Sequence, residues 1–120
     1  MVTIGCFVKI SNEKIIQHEW LKDMRQDEYF PNFLVDKLEA IMLEVCYKIE
    51  DKKPNDLSAL YKLTNEAVEV INELQQDFED NDSEIETVAR DSIGTDFYFI
   101  AQSYGFDNAD MEDLIANRDW

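Results

Sequence analysis

Hydrophobic residues recur at helical spacing along most of the chain, and the longest such pattern lies at residues 83–105. Its apolar face is wide enough to be covered by several neighbouring elements. Ser83 and Glu86 match a capping box at the start of the pattern, and Gly105 suits a left-handed stop at its end. We therefore predict that this helix is central in the fold. Its inward positions are Ile85, Val88, Ala89, Ile93, Phe97, Ile100, Ala101 and Tyr104.

The remaining apolar periodicity and the helix-start residues predict four further helices. They run from Ser11 or Asn12 to about Arg25, from Pro31 to the polar run before Pro54, from Asn55 or Asp56 to about Asp80, and over a short last segment capped by Asn108. The chain end at Trp120 is expected to fold back onto them. The prediction is an all-α, five-helix, single-domain bundle formed by residues 11–120.

The segment before this bundle has a different pattern. Val2–Ile4 and Phe7–Val8 resemble short strands, but no second strand pattern follows in the chain to pair with them. Residues 1–10 are therefore predicted to be a short extended arm, a first turn of helix, or a strand that pairs with another copy. The arm is the favoured interpretation, and the last alternative allows a homodimer through residues 1–10.

Composition agrees with one helical domain in a reducing compartment. The chain has 120 residues, of which 45% are hydrophobic, and its three Gly and two Pro are few for the many turns of a β-sandwich. Cys6 and Cys46 have no metal or redox spacing and are too few for a disulfide framework. The opening residues lack the pattern of a secretory signal, and no run reaches membrane-spanning length. We expect a cytoplasmic protein.

The charge of the chain is strongly negative and unevenly distributed. The net charge is −16, which argues against nucleic acid or an anionic membrane as a direct ligand. Residues 1–60 contain 8 basic and 11 acidic side chains, whereas residues 61–120 contain 3 basic and 16 acidic ones. No basic residue lies between Lys62 and Arg90, where there are nine acids. This stretch is the strongest functional signal in the sequence.

Five of these acids fall on one outer face of the third predicted helix, within about 80° at 100° per residue. Solvation explains why they face outward, but it does not explain the absence of cations among them. Like charges one turn apart cost about 0.2–0.5 kcal/mol per pair. We therefore predict a surface for a basic partner, not neutralised by lysines from the first half of the chain. Its candidate residues are Glu66, Glu69, Glu73, Asp77, Glu79, Asp80, Asp82 and Glu84.

Enzyme signatures are missing from the sequence. His18 is the only histidine, which is too few for zinc peptidase or di-iron patterns, and it is interpreted as a surface or boundary residue. Residues 80–85 lack the glycine of a calcium loop. We expect no cofactor, no metal and no catalytic residue. Asp96 lies on the apolar side of its helix, and Arg90 and Arg118 each stand beside an aspartate. For Arg90 and Arg118 we favour a structural role over an anion site.

Aromatic residues cluster before and within the start of the second predicted helix, at Tyr29, Phe30 and Phe33. Packing against the bundle is the favoured interpretation of this cluster, and a ligand pocket is the alternative. The same region begins the stretches that carry a family resemblance. These are Tyr29–Lys37, Leu60–Thr64, Ser83–Asp91 and Ile115–Trp120.

With these stretches, the chain from about Asp27 onward resembles an uncharacterised bacterial domain-of-unknown-function family of small acidic proteins. The resemblance implies a bacterial, cytoplasmic, helical domain. It brings no established activity, so no residue inherits a catalytic role from it. The first ten residues lie outside the resemblance.

Three functional hypotheses follow. The leading one is an acidic protein-binding module for a basic partner, most concretely an immunity or antitoxin-type inhibitor of a bacterial toxin of the nuclease type. The second is a self-associating structural protein in which residues 1–10 pair between copies. The third is an enzyme whose clustered carboxylates converge in a pocket, with Asp96 as the first residue to examine.

Overall fold

A computed structural model describes residues 10–120 of the chain. All regular secondary structure in that range is helical, and turns and irregular segments join the helices. The predicted all-α, single-domain bundle is confirmed. Most of the predicted arm, residues 1–9, lies outside the described residues, so its alternatives stay predictions. The helices are α1 (Glu13–Gln17), α2 (Lys22–Arg25), α3 (Asn32–Lys52), α4 (Leu57–Asp80), α5 (Thr87–Ser103) and α6 (Met111–Leu114).

The first predicted helix is interrupted, which gives two short helices, α1 and α2, in place of one. Between them Leu21 is left-handed, with φ 53°, and its side chain is fully buried. Its N–H donates to the buried carboxylate of Asp96 on α5 at 2.7 Å. This long-range bond satisfies a backbone group outside a helix, which local periodicity cannot predict. The i, i+4 spacing of Ile16, Trp20 and Met24 predicts one shared inward face, but only Trp20 and Met24 are buried. Ile16 is 57% exposed, because the interruption turns its face away.

The two longest helices, α3 and α4, run antiparallel because a short connection at residues 53–56 joins them. Lys53 adopts a left-handed conformation, and its N–H closes α3 on the carbonyl of Ile49 at 2.8 Å. The side chain of Asp56 then caps α4 by accepting the N–H of Ala59 at 2.8 Å. The antiparallel arrangement brings the start of α3 beside the end of α4.

The central helix starts later than predicted. Glu86 is the N-cap of α5 without a side-chain cap bond, and the Oγ of Ser83 has no hydrogen-bond partner among the described residues. The predicted capping box is therefore wrong. The N–H of Ser83 instead donates to the carbonyl of Phe78 at 2.8 Å, which closes α4 and leaves residues 83–86 non-helical.

The end of α5 and its central position agree with the prediction. Gly105 has φ 87°, and the N–H of Phe106 reaches back to the carbonyl of Ala101 at 2.9 Å, as in a Schellman motif. The helix contacts α1, α2 and α6. Val88 was predicted to face inward and is 38% exposed, because α5 begins only one residue before it. The fully buried residues of α5 are Ala89, Ile93, Phe97, Ile100 and Ala101.

Two asparagines of α4 hold the C-terminal segment through its backbone. The Asn65 amide donates to the carbonyl of Asp113 at 3.0 Å and accepts the N–H of Asn117 at 2.9 Å. The Asn72 amide donates to the carbonyl of Asn117 at 3.0 Å and accepts the N–H of Asp119 at 3.0 Å. These four bonds fix the segment along the outside of α4.

The last helix begins at a different cap from the predicted one. Asp110 accepts the N–H groups of Glu112 and Asp113 at 2.8 and 3.4 Å, so the prediction of Asn108 as the cap was wrong. Trp120 is only 8% exposed, which confirms that the chain end folds back onto the bundle.

Glu50 of α3 connects the beginning of the described chain to the end of α5. Its carboxylate accepts the N–H and hydroxyl of Ser11 at 2.8 and 3.0 Å and the N–H of Asn12 at 3.1 Å. It also accepts the hydroxyl of Tyr104 at 2.6 Å. Burial alone would raise the pKa of Glu50, but these donors outweigh it, so the pKa lies below the usual value.

We expect Glu50→Ala to lower the free energy of unfolding by about 2–3 kcal/mol near neutral pH, because four donors lose a charged acceptor. A carboxyl group with a lowered folded pKa stabilises the fold above its ordinary value of 4.5, and this contribution is lost as pH falls through the folded pKa. The difference between the two proteins should therefore shrink below that pH. Urea denaturation of the original chain, Glu50→Ala and the exposed control Glu44→Ala measures it, and a gap of constant size across pH would contradict the assignment.

Candidate functional site

The acidic side chains predicted to bind a partner lie at the surface of the described chain. Seven of the eight are exposed, and Asp77 is intermediate with 43% of its side chain accessible. Six lie on α4, and two follow it in the turn toward α5. Their role in binding stays a prediction. The exposed seven are Glu66, Glu69, Glu73, Glu79, Asp80, Asp82 and Glu84.

One of these acids is neutralised from the first half of the chain. The Nζ of Lys37 on α3 lies 3.4 Å from Oδ2 of Asp77. This contact corrects the expectation that no lysine from residues 1–60 reaches the surface, and it arises because antiparallel packing places the start of α3 beside the end of α4. Within residues 10–120, the other seven acids form no ion pair.

The N-terminal part of the acidic surface has other contacts. Glu69 accepts the side-chain N–H of Asn117 at 2.7 Å, so it also supports the C-terminal segment. Glu66 lines a groove between α3 and α4 together with Lys48 and Lys62. In the second half of α4 and the following turn, Asp77 pairs with Lys37 and Asp80 accepts the amide N–H of Gln76 at 3.0 Å, whereas the other carboxylates have no such contact among the described residues.

That turn presents its acids outward by an unusual backbone conformation. Asp82 is left-handed with φ 59°, a conformation that aspartate tolerates better than most residues. Ser83 and Ile85 are buried, whereas Asp82 and Glu84 are exposed. The non-helical segment thus alternates inward and outward side chains and adds two carboxylates beyond the end of α4.

Exposed aromatic rings lie next to these carboxylates. Phe30 is buried as predicted, but Tyr29 and Phe33 are 42% and 51% exposed. The Nζ of Lys37 lies 5.9 Å from the ring centroid of Phe33. Partial desolvation and the nearby carboxylates of Glu84 and Glu86 raise the pKa of Tyr29, which places its hydroxyl in their negative potential. Only one of the three aromatic side chains, that of Phe30, is thus buried in the core.

The set of residues predicted from the sequence to bind a partner does not include Tyr29 or Phe33. The sequence does indicate that Phe33 is exposed, because it lies off the buried stripe that Leu34 and Leu38 begin on α3. The sequence does not indicate that Phe33 lies near the acids of α4, since this depends on how the two helices pack. Aromatic residues are enriched at protein–protein interfaces, and tyrosine is among the residues that often contribute most to binding.

A second polar cluster surrounds the only histidine. The Nε2 of His18 lies 2.9 Å from Oδ1 of Asp96, and the other carboxylate oxygen accepts the N–H of Leu21. The imidazole stacks on Phe99 with centroids 3.9 Å apart and meets Trp20 edge-on at 4.6 Å. His18 is thus a boundary residue, as interpreted, and it has a buried partner that its sequence neighbours did not reveal.

The environment of Asp96 opposes its ionisation. Burial raises its pKa, and hydrogen bonds from His18 and Leu21 offset this only in part. Because the folded pKa exceeds the ordinary 3.8, the folded state binds the proton more tightly than the unfolded chain. The contribution of Asp96 to stability therefore falls as pH rises from 3.8 through the folded pKa. This dependence is opposite in sign to that of Glu50.

A cleft of about 470 Å³ opens beside this cluster. His18 and Asp96 line it together with the buried Ser92 and the exposed Asp91. Asp96 was predicted to face inward and does so, but its partner is a histidine and a backbone N–H, and the two oxygens are both in use. The arrangement joins α5 to the α1–α2 connection. The hypothesis of an enzyme with clustered carboxylates stays a prediction.

The two isolated arginines differ in their contacts. Arg118 donates to the carbonyl of Ile115 at 3.3 Å and to the carboxylate of Glu112 at 3.2 Å, which confirms the structural role that we favoured. Arg90 is half-buried and forms no ion pair with any residue of the described range. Cys46 is a buried free thiol whose pKa is raised by burial, in agreement with a core position.

No group of three or more His, Cys, Asp or Glu side chains within residues 10–120 is arranged to hold a metal ion. None of the six helices in the described part of the chain combines the length and apolar character needed to span a bilayer.

Comparison with known proteins gives one result. A family model described as "Family of unknown function (DUF5713)" matches residues 14–120, which include all the side chains of the acidic surface and of the His18 cluster. No curated protein and no solved structure matches the chain.

We expect Asp96→Ala to lower the free energy of unfolding by about 1–3 kcal/mol, because the buried N–H of Leu21 loses its acceptor. Asp96→Asn should cost less, since its amide can accept from Leu21 and donate to a neutral His18. Asp91→Ala, in the same cleft but exposed, should change stability by no more than about 0.5 kcal/mol. Chemical denaturation compares the three variants, and equal losses for Asp96→Ala and Asp91→Ala would show that the buried carboxylate has no structural role.

Proposed function

Because the chain belongs to DUF5713, a family of unknown function, we propose a role from its own surface: it is an acidic protein-binding module for a basic partner. The observation that carries the proposal is the row of exposed carboxylates along the second half of α4 and the turn after it. Within the described residues, Lys37 is the one cation that forms an ion pair with these carboxylates. Two exposed aromatic rings, Tyr29 and Phe33, border them.

The cost of this surface to the isolated protein supports the proposal. Carboxylates one turn apart repel each other by about 0.2–0.5 kcal/mol per pair. Asp77, Glu79 and Asp80 lie in the last turn of α4, where the helix dipole favours cations by about 0.3–1 kcal/mol each. No basic residue occurs in that turn. A basic partner would relieve both effects, and the negative potential would accelerate its approach.

The most concrete form of the proposal is an immunity or antitoxin-type inhibitor that acts in the bacterial cytoplasm. A toxin that attacks nucleic acid needs a positively charged cleft to hold its substrate. A small domain with many exposed carboxylates is complementary to such a cleft and blocks it without any catalytic chemistry. The protein itself is not expected to bind nucleic acid, since its net charge is −16.

The proposal predicts that charge reversal on the acidic surface slows binding of the product of the adjacent reading frame. The variant is Glu73→Lys, Glu79→Lys and Asp80→Lys, which spares Glu69 and Asp77 because they contact Asn117 and Lys37. We expect the association rate at low salt to fall by at least about tenfold, because steering by the negative potential is lost. Surface-immobilised binding kinetics at two salt concentrations measure the rate.

The control variant carries the same change in net charge at three exposed acids elsewhere: Glu13→Lys, Asp51→Lys and Asp107→Lys. It should bind within about threefold of the original chain at moderate salt, because exposed charges beyond a Debye length are screened. An equal decrease of the association rate in both variants would show that the acidic surface has no specific part in binding. Absence of binding by the original chain would remove the toxin-inhibitor assignment.

A further inference from the structure

A lysine of this chain sits between an aromatic ring and a carboxylate at the border of the acidic surface. The Nζ of Lys37 lies 5.9 Å from the ring centroid of Phe33 and 3.4 Å from Oδ2 of Asp77. Both distances are near the outer limit for such contacts. About half of the lysine side chain is exposed, and so is 43% of the Asp77 side chain. A pair this long and this accessible to water is weak and easily displaced.

Two aromatic rings at and just before the start of α3 are unusually accessible for their size. Phe33 is 51% exposed and Tyr29 is 42% exposed, although Phe30 between them is buried. Tyr29 meets Phe30 edge-on with centroids 5.0 Å apart, so its position is fixed by a core residue. The two rings therefore form a supported apolar border and are not part of the core themselves.

Carboxylates approach these rings from two elements. Asp77 comes from the last turn of α4, and Glu73 lies one turn before it. Glu84 and Glu86, in the segment before α5, lie close enough to Tyr29 to raise its pKa. A cation at the position of the Lys37 ammonium thus meets the Phe33 ring and the Asp77 carboxylate together.

We propose that Phe33 and Asp77 form the site that takes an arginine side chain of the basic partner, and that Lys37 is an internal occupant which this arginine displaces. The proposal rests on the protein-binding function above and names the chemistry of its recognition. A planar guanidinium can stack on the Phe33 ring while its N–H groups bond the Asp77 carboxylate, whereas an ammonium acts as a point charge. The displaced Lys37 ammonium is rehydrated at little cost, because it is already half exposed.

Removal of a displaced occupant should strengthen binding more than removal of an ordinary surface lysine, which only lowers the repulsion of a cationic partner. Removing Lys37 leaves the aromatic face and the Asp77 carboxylate open, so an incoming arginine no longer competes for them. Replacing Phe33 by leucine keeps an apolar side chain but removes the π face. The first change should strengthen binding of an arginine side chain, and the second should weaken it.

The test uses two labelled nine-residue peptides, oligo-arginine and oligo-lysine, titrated against the full chain by fluorescence anisotropy. We expect Lys37→Gln to tighten oligo-arginine binding about two- to fivefold beyond Lys62→Gln. The control Lys62→Gln makes the same charge change at an exposed lysine at the other end of α4. Phe33→Leu should weaken oligo-arginine binding about three- to tenfold and reduce the preference for arginine over lysine.

The outcomes separate this proposal from the one on which it rests. Equal effects of Lys37→Gln and Lys62→Gln, or unchanged binding by Phe33→Leu, would overturn the arginine site. The charge-reversed variant at residues 73, 79 and 80 tests the acidic surface independently, since it leaves Phe33, Lys37 and Asp77 intact. Weakened binding in that variant with no effect of Phe33→Leu would keep the acidic surface and remove the arginine site. Unchanged binding in the charge-reversed variant would remove both.

Discussion

The antiparallel packing of α3 against α4 is the constraint on which the rest of the structure depends. The connection at residues 53–56 is too short for any other arrangement of two long helices with facing apolar stripes. It puts the aromatic start of α3 beside the acidic end of α4, so Lys37 can contact Asp77 and Phe33 borders the carboxylates. The chemical character of the surface is therefore a product of topology, although the two stretches are about forty residues apart in sequence.

The parts of the fold that depend on long local patterns could be predicted from the sequence. The inward stripe of α4 and the exposure of its acids follow from a strong 3.6-residue periodicity over seven turns. The stop at Gly105 follows from the conformational freedom of glycine. These features need no knowledge of what packs against the helix.

The errors occur where a distant partner determines the backbone. The predicted first helix breaks because Asp96, on a different helix, accepts the N–H of Leu21. The predicted capping box at Ser83 fails because that residue closes the preceding helix on Phe78 instead of opening the next one. At both sites the local sequence pattern favours a structure that the chain does not adopt. The exposed acids of α4 could be predicted from the sequence, whereas the position of Phe33 near Asp77 could not, because it depends on how α3 and α4 pair.

The two asparagines on α4 that hold the C-terminal segment have a consequence for how this protein can vary. Asn65 and Asn72 are seven residues apart, or nearly two full turns, so their amides point the same way and stand about 10 Å apart along the axis. One residue gained or lost between them would rotate the second amide by about 100° and detach it from the tail. An insertion or deletion between Asn65 and Asn72 should therefore loosen the C-terminal segment, because the two amides could no longer bond its backbone together.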